Sequence, residues 1–181
     1  MKLRNIKTII AREYLTRVKK KSFLLITFLG PIFFAAIAVL PSIIMFMAED
    51  KGKQVAVIDD VAEEFGICPE FVMAVCEYES GGNQNCTNNL GCTGLMQIYP
   101  KYNQERMRKY GVTNLRDPRQ NVTIGCDLLA ELFDKYEDSA LVLMKYHGEN
   151  KAQQKYEEGQ MSSYAKKILV RSEELERMRG K

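Results

Sequence analysis

The sequence predicts an all-α domain that is preceded by a single transmembrane helix. Residues 23–47 contain no charged side chain, and a helix of that length spans about 37 Å, more than the roughly 30 Å apolar core of a bilayer. After residue 60, apolar residues recur every three or four positions, which is the period of amphipathic helices. Glycine or proline separates these periodic segments, as expected for short helices joined by turns.

Four segments follow from this pattern. We expect a basic amphipathic segment over residues 1–21, a membrane anchor over 22–48, a linker with a short strand over 49–60, and a helical domain over 61–181. Residues 1–53 hold ten Lys or Arg and three Asp or Glu, whereas residues 54–181 hold sixteen and twenty. Because the domain is mildly acidic, nucleic acid is not expected as a partner.

The apolar segment has the properties of an uncleaved signal anchor. A cleavable signal peptide has a shorter apolar region of about 7–15 residues, and Pro31 and Pro41 are tolerated in membrane spans. Four basic residues precede the segment, whereas the charges that follow it cancel. These residues are Arg17, Lys19, Lys20 and Lys21 before it, and Glu49, Asp50, Lys51 and Lys53 after it. The positive-inside rule then predicts a cytoplasmic N-terminus and places the residues after Ala48 outside.

Two observations concern the first 60 residues. Ile6, Ile10, Tyr14 and Val18 recur every four positions among basic side chains, which fits either a helix on the membrane surface or a solvated basic tail. Residues 1–60 also resemble the start of ABC-type export permeases, in which Gln54–Asp60 would form a strand. The further spans of a permease are missing, so transport is not expected, and we place a junction near Asp60.

The domain divides into short predicted helices with clear boundaries. Pro69 suits the first turn of a helix that continues through Phe71–Glu79 and ends at Gly81. The segment with the clearest apolar period runs from Asp117 to Tyr136, and Asp117 suits its N-terminal cap. The other predicted helices are Val61–Phe65, Lys101–Tyr110, Ser139–Tyr146 and Ser162–Met178.

Glu79 is the candidate catalytic residue. It shares one helix face with Val72, Val75 and Cys76, so its carboxyl ends an apolar stripe. Desolvation there raises a carboxyl pKa, which suits a general acid near neutral pH. Glu77 points to a different face of the helix. We expect that face, which Glu77 shares with Glu70, Met73 and Ala74, to be exposed to solvent.

The residues around Glu79 resemble the signature of the lytic transglycosylases, relatives of goose-type lysozyme that cut peptidoglycan. That family shows E-S-x-x-N-P-x-A, then G-A-x-G-L-M-Q and a closing Pro. This chain has E-S-G-G-N-Q-N-C, then G-C-T-G-L-M-Q-I-Y-P. It departs from the pattern at Gln84, Cys86 and Cys92.

Three later segments extend the resemblance over residues 61–170. Asp117–Leu129 is similar to the family's D-P-x-x-N-I-x-x-G-x-x-Y-L helix, and Ser162–Leu169 is similar to a late Tyr-Val motif. Ala140–Gly148 resembles A-L-x-A-Y-N-A-G, with His147 in the place of Asn. For His147, the only histidine, we favour a surface position over a catalytic one.

The resemblance implies a lysozyme-like fold and roles for particular residues. Glu79 would act as acid and base, with Ser80 orienting it and the Tyr164 hydroxyl near it. Substrate binding would involve Gly94, Met96, Gln97 and Tyr146. No cofactor is implied.

The implied activity is that of a membrane-anchored peptidoglycan lytic transglycosylase that faces the cell wall from the cell membrane. It would cleave the β-1,4 bond between N-acetylmuramic acid and N-acetylglucosamine and leave an anhydromuramoyl product. The alternatives are a hydrolytic lysozyme on the same fold, a non-catalytic wall-binding module of a secretion, conjugation or phage-associated machine, and an inert fusion. The sequence offers no second carboxylate for hydrolysis, because Asp127, Glu131 and Asp134 avoid the apolar stripe of their helix and should face solvent.

The five cysteines leave two interpretations open. With one histidine and no Cys-x-x-Cys pair, a zinc site is not expected. Outside the cytoplasm, Cys86 and Cys92 could pin the loop after Glu79, and Cys76 and Cys126 could link two packed helices. Equally, all five cysteines could be reduced.

Overall fold

The computed structural model describes Tyr14 and residues 21–181, without the side chains of residues 21–24 and 47. It contains two compact units, Met1–Lys51 and Gly52–Lys181. Apart from Tyr14 and the backbone of residue 21, the predicted amphipathic segment over residues 1–21 lies outside the described residues. The second unit therefore begins earlier in the chain than the expected junction near Asp60.

Helix α1 (Lys21–Glu64) contains the apolar segment. By length and composition alone this helix could cross a membrane. It contains an 18-residue segment with a mean hydropathy of 2.3, and no part of that segment is buried. Large apolar side chains such as Ile26 (73% exposed) and Phe34 (73% exposed) lie on its surface.

The expected linker and strand over residues 49–60 are helical instead, since α1 continues to Glu64. Ile58, Val61 and Ala62 are spaced as neighbours on one helix face, and all three are buried. Within the described residues the only bridges between extended segments are isolated ones at Thr87, Thr93 and Ile98. A strand over residues 54–60 would thus lack a partner, whereas a helix buries its apolar face.

The second unit is built from helices that the sequence largely predicts. Six helices follow α1, together with a 3₁₀ turn at Pro100–Tyr102. They are α2 (Pro69–Ser80), α3 (Gln104–Lys109), α4 (Pro118–Lys135), α5 (Ser139–Tyr146), α6 (Ala152–Glu157) and α7 (Ser163–Met178). The predicted Lys101–Tyr110 helix is thus divided at Asn103. Helix α6, which buries Ala152, was not predicted.

Helix α2 lies in the core and carries Glu79 in its last turn. Every residue from Pro69 to Cys76 is buried, and each fully buried Val or Phe side chain of this kind contributes about 1.5–3 kcal/mol. Gly81 adopts a left-handed conformation (φ 64°) and its N–H donates to the Glu77 carbonyl. This cap ends the helix directly after Ser80, so Glu79 stays next to the core.

The face of α2 that carries Glu70 is buried, which corrects the expectation that it is solvated. Glu70 is 0% exposed, and Met73 and Ala74 are buried beside it, because α7 packs against α2. On this face, which also includes Glu77, only Glu77 is exposed. The Glu70 carboxylate lies 2.9 Å from Lys181 Nζ and 3.2 Å from an Arg179 guanidinium nitrogen.

Because Glu70 is ionised and paired with Lys181, we expect the free energy of unfolding to fall in acid. Burial opposes ionisation of Glu70, but hydrogen bonds from Lys181 and Cys68 lower its pKa to about 2. A carboxyl whose pKa is lowered on folding stabilises the protein above its unfolded pKa, near 4.5, and this stabilisation is lost as the pH falls toward 2. We therefore expect the free energy of unfolding to decrease between about pH 4.5 and pH 2.

Lys181→Ala should lower the free energy of unfolding at neutral pH, because it removes the cation nearest to the buried Glu70 carboxylate. The loss should be smaller than for a fully buried ion pair, because the Lys181 side chain is 54% exposed. Chemical denaturation across the acid range measures both effects, with Lys166→Ala on the exposed face of α7 as the matched control. Equal stability of Lys181→Ala and wild type at every pH would contradict the assignment.

Candidate active site

Glu79 is half-buried at the end of α2 and is held by a residue from α7. The Tyr164 hydroxyl donates a hydrogen bond of 2.6 Å to Glu79 Oε1. Burial raises the pKa of Glu79, whereas the Tyr164 hydrogen bond and the charge of His147 act in the opposite direction and do not cancel the rise. The carboxyl therefore keeps its proton at a higher pH than an ordinary glutamate, as a general acid requires.

Tyr164 can only donate to Glu79. Burial, the charge of Glu79 and their hydrogen bond hold the pKa of the phenol far above its usual value. Two rings enclose it: His147 stacks on its face with centroids 4.0 Å apart, and Tyr78 meets it edge-on at 5.0 Å. The phenol is 4% exposed, so it stays protonated and fixed.

A cavity of about 510 Å³ opens beside Glu79. The other residues that line it come from the loop after α2, the 3₁₀ turn, α3, α4 and α5. They are Asn88, Leu90, Cys92, Gln97, Ile98, Tyr99, Tyr102, Asn103, Arg106, Leu128, Tyr146, His147 and Gly148. Among these described lining residues, Glu79 is the only carboxylate. Elsewhere in the described chain, no three His, Cys, Asp or Glu side chains lie close enough to hold a metal ion.

Asn121 of α4 holds the loop that forms one wall of this cavity. Its amide oxygen accepts from the Met96 N–H at 2.8 Å, and its amide nitrogen donates to the carbonyls of Thr93 (2.8 Å) and Leu115 (2.9 Å). Thr93 and Ile98 exchange two backbone hydrogen bonds of 3.0 Å across the turn between them. The fully buried Asn121 thus fixes the turn from α4.

The turn requires unusual backbone geometry at two residues. Gly94 has φ +84°, and a Cβ there would lie 2.2 Å from both Asn121 Nδ2 and the Leu115 carbonyl oxygen. Gln97 has a positive φ of 47° without being glycine, a conformation that costs on the order of 1 kcal/mol or more. Its side-chain nitrogen donates to the Gly94 carbonyl at 3.0 Å, which folds the amide back onto the turn.

The structure separates the expected substrate-binding residues into two groups. Gln97 and Tyr146 line the cavity, and Tyr164 contacts Glu79 directly. Ser80, Gly94 and Met96 do not line the cavity. The Ser80 hydroxyl donates to the Cys76 carbonyl of its own helix at 3.0 Å rather than to Glu79.

Gly94 and Met96 belong to the packing behind the cavity wall. The Met96 side chain is 0% exposed, and a Cβ at Gly125 would lie 2.2 Å from its sulfur. The Met96 carbonyl accepts a hydrogen bond of 2.8 Å from the Tyr146 hydroxyl. Met96 therefore joins the loop to α4 and α5 through core packing.

The expectation that Asp127 faces solvent is wrong. It is 8% exposed, because α3 lies against α4 and brings three donors to its carboxylate. Lys109 Nζ lies at 2.8 Å, the Tyr110 hydroxyl at 2.5 Å, and Arg106 also pairs with it. Burial raises the pKa of Asp127, but these donors outweigh it and lower the pKa.

The remaining acidic residues lie where the sequence indicated. Glu131 and Asp134 are exposed, and Asp117 caps α4 by accepting from the Gln120 N–H at 2.9 Å. Glu77 is exposed and pairs with Arg171 at 2.6 Å. No acidic residue of the described chain other than Glu79 is placed to act in the cavity.

All five cysteines, each within the described chain, are free thiols. Neither expected pairing, Cys86 with Cys92 or Cys76 with Cys126, is present. Burial raises the pKa of Cys76 well above its usual value and that of Cys126 to about 12, which disfavours the thiolate that forms disulfides. The loop at Cys86 and Cys92 is already ordered by backbone hydrogen bonds. A Cys86–Cys92 link stays a prediction for oxidised protein.

Some site residues escaped the sequence reasoning. His147 lies on the cavity wall against Tyr164, and the replacement of a family Asn by an aromatic ring was the available signal. The only indication that Asn121 matters was its position at the end of the D-P-R-Q-N motif, residues 117–121. Tyr102 and Arg106 come from a part of the chain without a motif, so no sequence pattern identified them as cavity residues.

A family model described as Transglycosylase SLT domain matches residues 56–169. A transglycosylase of Enterobacteria phage PRD1 is 37% identical over 91 residues, which cover 50% of this chain and 33% of the relative. An endo-type membrane-bound lytic murein transglycosylase A of Klebsiella pneumoniae is 31% identical over 75 residues, 38% of this chain and 37% of the relative. The chain thus spans about a third of these curated relatives. They lend no support to the resemblance of residues 1–60 to export permeases.

Solved structures share the fold of the helical unit. The 70 kDa soluble lytic transglycosylase from Escherichia coli superimposes with a TM-score of 0.59 at 18% identity, over 69% of this chain and 24% of that one. An inactive mutant of lytic transglycosylase Slt from Pseudomonas aeruginosa superimposes with a TM-score of 0.57 at 20% identity, over 65% and 23%. The lysozyme-like, all-helical architecture expected from the sequence is confirmed.

Asn121→Ala should destabilise the protein and loosen the cavity wall. The change leaves the Met96 N–H and the Leu115 carbonyl without a partner, whereas the Thr93 carbonyl still accepts from the Ile98 N–H. Each buried unpaired group costs about 1–3 kcal/mol, so we expect a loss of on the order of 3 kcal/mol in the free energy of unfolding, measured by chemical denaturation. Asn150→Ala, at an exposed position, is the control and should change it by about 0.5 kcal/mol or less. Similar losses in both variants would refute the role of Asn121.

Proposed function

The chain belongs to the Transglycosylase SLT domain family, and on that premise we propose that its helical unit is a peptidoglycan lytic transglycosylase. It cleaves the β-1,4 bond between N-acetylmuramic acid and N-acetylglucosamine. Glu79 is the general acid and base of the reaction.

One observation carries this proposal: a single half-buried carboxyl with a raised pKa faces a cavity and accepts a hydrogen bond from a phenol that cannot ionise. Such a carboxyl holds its proton to a higher pH than an ordinary glutamate and can deliver it to a leaving oxygen. The Tyr164 bond orients one carboxyl oxygen and leaves the other for the substrate.

The reaction needs no second protein carboxylate. Glu79 gives its proton to the glycosidic oxygen as the bond to the muramoyl anomeric carbon breaks, with assistance from the substrate's acetamido group. The Glu79 carboxylate then takes the proton of the muramoyl 6-hydroxyl while that oxygen bonds to the anomeric carbon. The product is an anhydro ring, and Glu79 is protonated again, so no water is consumed.

The walls of the cavity supply contacts suited to a glycan. Tyr146, Tyr99 and Tyr102 offer apolar rings, and the amides of Gln97 and Asn88 offer hydrogen-bonding groups. Such a mixture of aromatic faces and a few polar groups is typical of ligand-binding clefts.

We also propose that the enzyme is anchored in the cell membrane by residues 22–48, with the catalytic unit facing the wall. The charge step across the apolar segment supports this orientation. One relative is by name membrane-bound and another is a phage transglycosylase, which supports a membrane location and a phage-associated role. Service to a secretion or conjugation machine rests on the sequence expectation alone.

Glu79→Gln should abolish the clearing of purified cell walls. The change keeps the shape of the side chain but removes the transferable proton, so the rate should fall on the order of 10²–10⁴-fold. Glu77→Gln is the matched control on the same helix turn and should change the rate little, because Glu77 is exposed and paired with Arg171. Turbidity measurements decide: full activity in Glu79→Gln, or equal losses in both variants, would refute the assignment.

Digestion should yield anhydromuramoyl ends. An inverting hydrolase needs a second carboxylate about 6.5–9.5 Å from the acid, and a retaining hydrolase needs one about 5 Å away. Among the described residues that line the cavity, Glu79 is the only carboxylate. The tethered 6-hydroxyl also has a large effective concentration relative to water. Mass spectrometry of the products measures this. Fragments heavier by one water, with new reducing ends, would instead identify a lysozyme, and wall binding without cleavage would identify a binding module.

A reporter that is active only outside the cytoplasm, fused after Lys181, should be active. The expectation follows from the basic residues that precede the apolar segment. The paired control is a reporter that works only in the cytoplasm, fused at the same site. Activity of the cytoplasmic reporter alone would show that the unit does not reach the wall.

A further inference from the structure

His147 lies where it can act on the Glu79–Tyr164 pair without contacting the carboxyl by a hydrogen bond. It is the C-terminal cap residue of α5, its ring is exposed, and it lines the same cavity as Glu79. The ring planes of His147 and Tyr164 are only 19° apart at a centroid distance of 4.0 Å. This face-to-face contact covers one side of the phenol.

We propose that His147 is a positioning residue, which fixes the Tyr164 phenol against Glu79 by stacking and places a positive charge beside the carboxylate that forms after proton donation. The proposal rests on the proposed function, because it assigns His147 to the same acid. It differs from the sequence expectation of a surface histidine without a role.

The stacking matters because the short Glu79–Tyr164 hydrogen bond depends on the orientation of the ring. Tyr164 lies in the first turn of α7, two residues after the Ser162 cap, and reaches Glu79 across the interface of α2 and α7. Tyr78 meets the Tyr164 ring in a T-shaped contact, with the ring planes 88° apart. Removal of the His147 ring would open one face of the phenol to the cavity and let the hydroxyl move from Glu79 Oε1.

The charge matters because few other ionic groups face this part of the cavity. The titratable or charged groups that line it besides His147 are Glu79 of α2, Cys92 of the loop, Tyr99 and Tyr102 at the 3₁₀ turn, Arg106 of α3 and Tyr146 of α5. Tyr164 of α7 reaches Glu79, and Tyr78 of α2 contacts Tyr164. The positive charge of His147 favours the Glu79 carboxylate and so lowers the Glu79 pKa, against the larger effect of burial.

The kinetic test compares His147→Ala, His147→Phe and His147→Asn in the wild-type and Tyr164→Phe backgrounds. We expect His147→Ala to lower kcat about 2–10-fold, the range that one aromatic pair supplies, with KM unchanged. His147→Phe restores part of that loss because it stacks, and His147→Asn does not. In the Tyr164→Phe background, His147→Ala has a smaller effect than in wild type, since no phenol hydroxyl is left to position and only the charge beside Glu79 is lost. Thermal unfolding of each variant checks that the fold is kept.

A second readout does not depend on activity. The titration midpoint of the Glu79 carboxyl, followed by carbon-detected NMR, should lie at higher pH in His147→Phe than in wild type, because the neighbouring positive charge is gone. An unchanged midpoint, a loss in KM alone, or an equal effect of His147→Ala in both backgrounds would each overturn the proposal. Wild-type protein that does not cleave walls would refute the proposed function, whereas the midpoint shift would still test His147.

Discussion

The hydrogen bond from Tyr164 to Glu79 is the interaction on which the site depends. Burial at the end of an apolar helix face raises the Glu79 pKa, and the phenol limits that rise while it fixes one carboxyl oxygen. Each pKa unit corresponds to about 1.36 kcal/mol, so a modest change in either effect would shift the Glu79 pKa. The proposed function therefore requires that the first turn of α7 and the last turn of α2 keep their relative position.

The rest of the helical unit serves to hold these two turns and the cavity beside Glu79. The Glu70–Lys181 ion pair joins the start of α2 to the residues after α7, while Gly81 ends α2 next to Glu79. In the wall of the cavity, Asn121 binds the turn that carries Gln97, and Tyr146 binds the Met96 carbonyl. Polar groups therefore connect the scaffold to the acid and to the cavity wall.

The sequence predicted most helices, because their apolar period and their Gly, Pro and Asp boundaries act locally. It also predicted that the Tyr164 hydroxyl lies near Glu79, and the two are 2.6 Å apart. It failed where tertiary contacts decide: Gln54–Asp60 reads as a strand but has no strand to pair with, and Glu70 and Asp127 read as solvated but meet cations from distant segments. Met96 and Gly94 are motif residues whose burial shows a structural role, and His147 became significant only when α5 and α7 were placed together.

The central claim is that Glu79 is an acid whose pKa is raised by burial and whose carboxyl is oriented by Tyr164. Titration of the Glu79 carboxyl by carbon-detected NMR tests it most directly. The account predicts a midpoint above the ordinary value of 4.5, and a still higher midpoint in Tyr164→Phe, because the lost hydrogen bond stabilises the carboxylate. A midpoint at or below the ordinary value in the wild type would contradict the account.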